Sequence, residues 1–380
     1  MNCVLLGYGT VGRQVEALCK KSADLNLQHV YVRPEKADEP YFTNRGEQIV
    51  SAPETDLVFE CMNGLEPANT LIRTALKAGK HVVSSNKAVL SQNLEDYVRL
   101  ANENGGTLQI EASAGGGIPI LDAILKLSRA EELTGFEGIL NGTSNYILDS
   151  MEKEGTSFED VLQKAIDLGY AEADPTSDIE GIDVWYKSLL VASLLTGSPI
   201  AGLPRPFGIS NISAKDIALA KKLGRKIRHV SILKNESGKH SSVIAPLWVK
   251  ADDFFGSVSA NYNGQLVFGD SFGSLGYYGQ GAGGLATAQA MIANALDAAD
   301  DRIRPIVLDQ ASAFDEDLLK EDWIVRTVLD PKALACLGLE DGDCAFFEED
   351  GYYLFPGKTQ SEIRKILDQD AKAMIGVWKA

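Results

Sequence analysis

A stretch of eighteen residues, from Tyr170 to Lys187, carries most of the charged side chains in this sequence that could perform chemistry together. It reads YAEADPTSDIEGIDVWYK, with five carboxylates and one lysine at its end. An acidic run is usually a solvated surface, and this chain has 53 acidic residues. Asp183 and Lys187, however, are four apart, so a helix would place them on one face. The apolar run SLLVASLLTG follows, which indicates a helix entering a core, where a lysine beside a carboxylate is suited to proton transfer.

The second chemical signal is the glycine turn GYGTVG at residues 7–12. It stands between an apolar strand and an amphipathic helix, which is the context of a dinucleotide-binding turn. In that motif Gly7 makes the turn, Gly9 lets a pyrophosphate approach the backbone, and Gly12 lets helix and strand pack closely. The N–H groups of Thr10 and Val11 lie where the helix begins and favour an anion. The turn therefore predicts a dinucleotide cofactor.

The residues after the second strand bear on which dinucleotide binds. An Asp or Glu that would read a ribose 2′-hydroxyl is missing there, and Arg33 follows the strand instead, with Lys36 close behind. An arginine at this place suits a 2′-phosphate, so NADP(H) is favoured over NAD(H). The alternative is a solvated arginine beside Pro34.

Two further strand ends carry polar groups. Ser85 and Lys87 follow the strand HVVS, at the edge where an open α/β sheet binds ligands. There Lys87 could donate to a substrate oxygen or a cofactor amide, although a solvated loop lysine is the alternative. The run EASAGGGIPI joins Glu111 to three glycines, whose freedom would let carbonyls converge on a hard cation. A hinge between domains, or close packing of two chain segments, would explain the same glycines.

The positioning elements indicate an α/β protein. Strands alternate with helices up to residue 117, which predicts a Rossmann-type parallel sheet over 1–117, completed by a late helix at 283–300. Residues 118–280 read as a domain of mixed α/β structure. The tail 305–380 reads as strand, helix, strand, strand, helix, strand, the order of a small ferredoxin-like α+β unit.

Composition narrows the partners. The 380 residues carry a formal charge of −17 and a pI near 4.7, which argues against nucleic acid and anionic membranes. The cysteines are scattered, with no CxxC pair, which suggests a reducing compartment. No signal peptide and no membrane-length apolar run is recognised, so a cytoplasmic protein is expected. The five cysteines are Cys3, Cys19, Cys61, Cys336 and Cys344.

Several stretches together resemble homoserine dehydrogenases, in that family's order and over residues 1 to about 300. The motifs are GYGTVG, AGKHVVSSNKA, EASAGGGIPI, GILNGTSNYIL, LGYAEADPTSDIEGIDVWYK and GQGAGGLATA. The resemblance implies reversible, NAD(P)H-dependent reduction of L-aspartate 4-semialdehyde to L-homoserine, a step in threonine, methionine and isoleucine biosynthesis. It also implies that residues 118–280 serve catalysis and dimerisation, in a homodimer or higher homo-oligomer that acts on a small-molecule substrate.

The resemblance further implies roles for individual residues. Lys187 is similar to the family's acid/base lysine, Asp183 and Glu172 to its substrate-binding carboxylates, and Lys87 to a lysine that contacts both cofactor and substrate. Other positions match by motif: Gly142, Thr143, Tyr170 and Asp178 for the substrate pocket, Ser85 and Gly281 for the cofactor, and Glu111 with the carbonyls of Ala114, Gly116 and Ile118 for a monovalent cation, Na⁺ or K⁺.

The sequence departs from the family pattern at a few places. Trp185 and Tyr186 are bulkier than expected beside the lysine, and Gln280 stands where a proline is usual. The tail is shorter than the ACT regulatory domain of many relatives, so it reads as a shortened ACT-like unit, without a prediction of threonine control. Two rival functions stay open from the residues alone: a lyase or isomerase that holds NAD tightly, and a nucleotide-sensing protein without catalysis.

Overall fold

The structure, a computed structural model, describes residues 1–37, 41–339, 345–346 and 351–379, and all statements below concern these residues. The chain forms two compact units, each built from three segments. The first contains residues 1–133, 186–202 and 279–311, and the second contains 134–185, 203–278 and 312–380. Residues 118–133, 186–202 and 279–280, which lie inside the range expected for the second domain, belong to the first unit.

The strands are short in the first unit and longer in the middle of the second. In chain order they are β1 Asn2–Leu6, β2 Asn26–Tyr31, β3 Phe42–Thr43, β4 Leu57–Glu60, β5 His81–Ser84, β6 Thr107–Gln109, β7 Leu133–Ile139, β8 Arg225–Glu236, β9 Lys239–Lys250, β10 Tyr262–Gly269, β11 Gly273–Gln280, β12 Ala313–Phe314, β13 Glu321–Arg326, β14 Ala345–Phe346, β15 Tyr352–Lys358 and β16 Met374–Trp378.

The helices connect these strands, and three single 3₁₀ turns lie at 34–36, 111–113 and 316–318. In chain order the α-helices are α1 Thr10–Cys19, α2 Gly46–Ser51, α3 Ala68–Lys77, α4 Lys87–Asn104, α5 Ile120–Leu127, α6 Gly142–Glu154, α7 Phe158–Asp167, α8 Thr176–Ile179, α9 Ile182–Thr196, α10 Ala214–Lys222, α11 Phe254–Ser257, α12 Gly284–Ala299, α13 Pro331–Cys336 and α14 Gln360–Gln369.

The first unit is built on a six-stranded parallel sheet in the order β3-β2-β1-β4-β5-β6. This is the doubly-wound order: β2 and β3 are added on one side of β1, and β4, β5 and β6 on the other. Such an order leaves a crevice at the carboxyl ends of β1 and β4, where the order of the strands reverses. The strands are apolar because helices cover both faces of such a sheet. The late helix α12 packs against α1, and both helices belong to the first unit.

The second unit is built on a ten-stranded mixed sheet. Its main path runs β11-β10-β7-β8-β9-β16-β13-β15-β14, and β12 pairs with β9. Strands β7, β8 and β9 are antiparallel neighbours, whereas β16 runs parallel to β9. A large apolar core lies on this sheet, with Val230, Val243, Leu247, Trp323 and Val377 all buried.

The tail forms the ferredoxin-like unit that the sequence predicts. Its elements are β13, α13, β14, β15, α14 and β16, and its strands lie in the spatial order β16-β13-β15-β14. The expected strand at 343–349 is described only at 345–346, and its other residues lie outside the described part of the chain. The unit is joined to the rest by its edge strand, since Val377 pairs with Leu247 and Trp378 with Trp248. Buried Asp216 reinforces the junction by accepting hydrogen bonds from Arg326 and Tyr352.

Three local features show where elements near the candidate site begin and end. Helix α4 begins at Lys87, because the side chain of Asn86 caps it by accepting from the N–H of Val89 at 3.3 Å. Strand β6 ends at Gln109, and residues 111–113 turn into a 3₁₀ helix. Helix α6 was not predicted, although an asparagine cap and a terminal glycine, Gly155 at φ +66°, mark its ends.

Candidate active site

The glycine turn after β1 has the geometry of a dinucleotide cradle. Gly7 has φ +97°, a conformation that L side chains rarely adopt. A Cβ on Gly12 would lie 2.2 Å from the carbonyl oxygen of Gly7, so only glycine allows helix and turn to approach this closely. A Cβ on Gly9 would meet nothing within 4 Å, which leaves open space over the backbone where a pyrophosphate has to approach. The turn therefore fits a bound dinucleotide.

Helix α1 begins at this turn without a side-chain cap. Its first N–H groups, which no residue of the helix itself can satisfy, are suited to an anion. Glu16, in α1, fixes this turn, because it accepts hydrogen bonds from the hydroxyls of Tyr8 at 2.5 Å and Tyr41 at 2.8 Å. The turn is thus tied to the segment after β2, beside which Arg33 lies exposed.

A buried carboxylate, Glu60, organises the neighbouring strand ends. It ends β4 and is completely buried, and it accepts hydrogen bonds from the Ser84 hydroxyl at 2.5 Å, the Met62 N–H at 2.9 Å and the Asn86 amide at 3.3 Å. Asn86 also donates to the carbonyl of Gly64 at 2.9 Å. Because Asn86 immediately precedes Lys87, these bonds fix where α4 begins and where Lys87 and Ser85 lie at the sheet edge.

In the second unit, one asparagine brings two of the predicted carboxylates together. The amide nitrogen of Asn141 donates to Asp178 at 2.6 Å and to Asp183 at 2.9 Å. Its amide oxygen accepts from the N–H of Ser144 at 2.7 Å and so caps α6. Asp178 lies in α8 and Asp183 at the start of α9, so Asn141 connects three helices of the predicted substrate region.

Three more residues predicted for the substrate pocket, Gly142, Thr143 and Tyr170, lie around the start of α6. The Thr143 hydroxyl donates to the carbonyl oxygen of Tyr170 at 2.6 Å, and the Tyr170 ring packs edge-on against Tyr146. Gly142 approaches the chain closely, since a Cβ there would lie 2.7 Å from the carbonyl oxygen of Asn261. Glu172 is exposed to solvent.

The turn between α8 and α9 packs on the ring of a buried histidine. Gly181 packs on the ring of His229, where a Cβ would lie 2.8 Å from Cε1. Complete burial lowers the pKa of His229 to about 4, so its imidazole is neutral, and Nε2 lies 3.0 Å from the carbonyl oxygen of Phe207. Since a carbonyl only accepts, Nε2 carries the proton. A neutral, fixed ring thus supports the first residues of α9.

Helix α9 carries Asp183 and Lys187 one turn apart, as predicted. Both are buried, with 5% and 7% of their surfaces exposed, so they are not the solvated ion pair that the spacing alone would allow. Trp185 is two residues from each, which places it on the other side of the helix. Its indole N–H donates to the carbonyl of Leu203 at 3.0 Å. Tyr186, three residues after Asp183, shares the face of the charged pair.

Comparisons with known proteins agree with this geometry. A family model described as homoserine dehydrogenase matches residues 119–296, and one described as the homoserine dehydrogenase NAD binding domain matches residues 7–111. A homoserine dehydrogenase from Synechocystis sp. is 37% identical over 317 residues, which cover 77% of this chain and 72% of that protein. The homoserine dehydrogenase of Corynebacterium glutamicum is 33% identical over 319 residues, covering 79% and 72%.

The chain belongs to the homoserine dehydrogenase family. Solved structures of the family have the same fold. A crystal structure from Thiobacillus denitrificans superposes with a TM-score of 0.83 at 28% identity, covering 100% of this chain and 98% of that one. One from S. aureus gives a TM-score of 0.76 at 29% identity.

Membership of the homoserine dehydrogenase family confirms the predicted family, fold class and enzyme class: the chain is an NAD(P)-dependent oxidoreductase of amino-acid biosynthesis.

Sequence reasoning missed two residues of the candidate site. Glu60 lies at the end of an apolar run and was not singled out, although a carboxylate between Phe59 and Cys61 indicates a buried charge that needs hydrogen-bond partners. Asn141 was read only as part of a motif, although an asparagine before a glycine and three polar residues is a helix-cap signal.

The loop proposed for a cation is organised by Glu111. Its carboxylate accepts from the N–H groups of Leu121 at 3.2 Å and Asp122 at 2.5 Å, so it caps the first turn of α5. Burial, and then the nearby charge of Asp122, raise the pKa of Glu111. The amide of Asn294 donates to Asp122 at 3.2 Å. In the described part of the chain no group of three or more His, Cys, Asp or Glu side chains could hold a metal ion.

Gly116 ties the same loop to the start of the late helix. It has φ +58°, and a Cβ there would lie 2.5 Å from the carbonyl carbon of Gly281. The Gly117 N–H donates to the carbonyl oxygen of Gln280 at 3.2 Å. Gln280 therefore contributes its backbone to this contact, a role that its side chain does not determine.

Glu60 gives a testable pH dependence of stability. Burial raises its pKa to about 7, although its three hydrogen bonds act in the opposite direction. The folded state therefore holds the proton more tightly than the unfolded state, and stability is lost as pH rises from about 4.5 to about 7. We expect Glu60→Gln to remove this loss, up to about 3 kcal/mol of unfolding free energy at pH 8. Urea unfolding at pH 5 to 8 measures it.

The control for this experiment is Glu95→Gln, on the exposed surface of α4 in the same unit. It should leave the slope of stability against pH unchanged. Buried Glu111 contributes in the same direction as Glu60 and is present in both variants, so part of the slope should remain. Equal slopes for Glu60→Gln and the wild type would contradict the assignment of this titration to Glu60.

Proposed function

We propose that this protein reduces L-aspartate 4-semialdehyde to L-homoserine with NADPH, and oxidises homoserine in the reverse direction, with Lys187 moving the proton. The family membership supports the activity. The observation that supports Lys187 is its burial beside Asp183 on one face of α9. A lysine withdrawn from water can donate directly to an oxygen that gains charge.

The chemistry supplied by the bound nicotinamide is hydride transfer. The residues of this chain orient and neutralise the reactants. Glu172 and Asp183 are assigned to the substrate, with Glu172 facing its ammonium group, because carboxylates form strong charge-assisted hydrogen bonds with such a cation. Gly142, Thr143, Tyr170 and Asp178 complete the substrate set.

Cofactor binding is assigned to the turn and to the strand ends beside it. The uncapped N–H groups of α1 would hold the pyrophosphate, since no side chain competes for them. Lys87, at the start of α4, is assigned to both cofactor and substrate. The complete cofactor set is Gly7, Gly9, Thr10, Val11, Gly12, Arg33, Ser85, Lys87 and Gly281.

The assay that tests the activity is homoserine-dependent reduction of NADP⁺, and oxidation of NADPH on adding aspartate semialdehyde. Steady turnover with both is expected. A lyase or isomerase that holds its NAD would give no net change in NADPH, and a nucleotide sensor would bind the cofactor without turnover. Either result would contradict the proposal.

Arg33 is proposed to select NADP(H) over NAD(H). It is exposed after β2 and would form charge-assisted hydrogen bonds with a 2′-phosphate. We expect Arg33→Ala to lower kcat/KM for NADP⁺ by about 10- to 100-fold and to leave kcat/KM for NAD⁺ nearly unchanged. Initial rates with both cofactors measure this. The control is Arg302→Ala, another exposed arginine of the first unit. Equal losses with both cofactors would contradict a role at the 2′-position.

A monovalent cation, Na⁺ or K⁺, is proposed at the loop of Glu111, Ala114, Gly116 and Ile118. Carbonyl oxygens are suitable ligands for a hard cation, and positive φ angles at Gly115 and Gly116 curl this loop. The carbonyl of Ile118 accepts from the N–H of Ile120 at 2.8 Å and keeps a second lone pair. Activity in K⁺ and Na⁺ buffers, compared with a bulky organic cation, tests the site.

The setting of the protein is also proposed. We expect a cytoplasmic homodimer or higher homo-oligomer, to be tested by light scattering of the purified protein. The cysteines in the described residues are free, and Cys344 lies outside those residues. No described helix is long and apolar enough to cross a membrane.

A further inference from the structure

Asn141 uses every hydrogen-bonding atom of its side chain. It is buried, with 4% of its surface exposed, at the point where β7 ends and α6 begins. Its oxygen caps α6, while its nitrogen donates one hydrogen to Asp178 and the other to Asp183. Two carboxylate oxygens therefore lie within 3 Å of one nitrogen. Like charges held this close repel, and the donor between them stabilises the arrangement.

We propose that Asn141 is a positioning residue for the reaction, which fixes Asp178 and Asp183 as a pair at the substrate site. This inference rests on the proposed function, since Asp183 is the carboxylate assigned to the substrate. Asn141 contacts neither the substrate nor the reacting atoms in this proposal, and acts through the two carboxylates.

The chemistry of asparagine explains why this residue type is needed. A planar amide offers one acceptor and two donors, which here are a cap and two carboxylate contacts. Aspartate would retain the cap but lose both donors and add a third negative charge. Serine or threonine would also cap the helix, but each hydroxyl has a single hydrogen to donate.

The structure holds Asn141 rigidly enough for this role. The backbone of the next residue, Gly142, lies against Asn261, and the amide of Asn145 donates to the carbonyls of Ala260 and Tyr262. One turn further along α6, Asp149 accepts from the N–H of Ala260 at 2.7 Å and pairs with buried Arg228 at 3.1 Å. These contacts fix the position of α6, and with it the position of Asn141 relative to the two carboxylates.

The test is Asn141→Asp, which has nearly the same shape and keeps the helix cap. We expect kcat/KM for homoserine to fall by about 100-fold, as for a displacement of about 1 Å of a group at a reacting centre. The KM for NADP⁺ should remain close to the wild type, whereas the melting temperature should fall, because the variant buries a third carboxylate beside two others with no donor between them. Asn141→Ala, which removes cap and donors together, should show the same catalytic loss in addition to a lower melting temperature.

The matched control is Ser157→Ala, which removes the cap of α7 in the same unit. It should lower the melting temperature without a change in kcat/KM for homoserine. If Asn141 were only a cap, Asn141→Asp would behave as the wild type and Asn141→Ala as Ser157→Ala, and the inference would be overturned. A wild type inactive with homoserine would overturn the proposed function as well, whereas an active wild type with an equally active Asn141→Asp overturns this inference alone.

Discussion

Replacement of Lys187 by methionine is expected to lower homoserine oxidation by about 10²- to 10⁴-fold while NADPH still binds. Methionine retains the aliphatic volume of a side chain that is 7% exposed, so the fold should be preserved. The substitution removes the ammonium group that we propose exchanges a proton with the substrate oxygen. Steady-state rates with homoserine, together with NADPH titration by fluorescence, separate catalysis from cofactor binding.

A second variant at the same position separates proton transfer from charge. Lys187→Arg keeps a positive charge but cannot release a proton at ordinary pH, so it should be nearly as inactive as the methionine variant. Lys221→Ala, on the exposed surface of α10, serves as the control and should be fully active. Turnover close to the wild type in Lys187→Met would sink the assignment of the acid/base role.

The second large effect is expected from Gly9→Ala in the glycine turn. The added methyl group meets nothing within 4 Å in the protein, and Gly9 has φ −87°, which alanine adopts without strain. The melting temperature should therefore be unchanged. The methyl group would nevertheless occupy the space that a pyrophosphate needs, so we expect NADPH affinity to fall by about 100-fold, the scale of a 1–3 kcal/mol steric clash. Calorimetry of NADPH binding measures the loss.

Two other glycines provide the comparison for Gly9. Gly12→Ala should damage the protein itself, because its Cβ would lie 2.2 Å from the carbonyl oxygen of Gly7, and so its melting temperature should fall. Gly202→Ala places the same methyl group in open space, in an exposed loop, and should change neither stability nor binding. Unchanged NADPH affinity in Gly9→Ala would contradict the placement of the cofactor over this turn.

Features of this protein that depend on adjacent residues could be predicted from the sequence. The turn GYGTVG is recognisable because its glycines, strand and helix are consecutive, and the structure has the elements where the pattern places them. The spacing of Asp183 and Lys187 is likewise a property of a single helix. The six elements of the tail were also predictable, because each has its own apolar pattern.

Features that depend on distant residues could not be predicted in the same way. Nothing adjacent to Asn141 shows that its amide meets Asp178 and Asp183, since α8 and α9 reach it only in the folded unit. Glu60 is similar, because its partners Ser84 and Asn86 come from the next strand end. The division of α9 at residues 185 and 186 between two units has no local signal either.

The pairing of β16 with β9 has a consequence for how the protein is made. Strand β9 ends at Lys250, whereas its neighbour β16 begins at Met374. During translation β9 therefore leaves the ribosome long before its partner strand is synthesised. During that interval the edge of β9 at Leu247 and Trp248 is open, and open apolar edges recruit strands from other chains. The second unit can therefore complete its sheet only after residue 378 has been translated. We expect this protein to aggregate when it is expressed at a high level, because many incomplete chains then expose this edge at the same time.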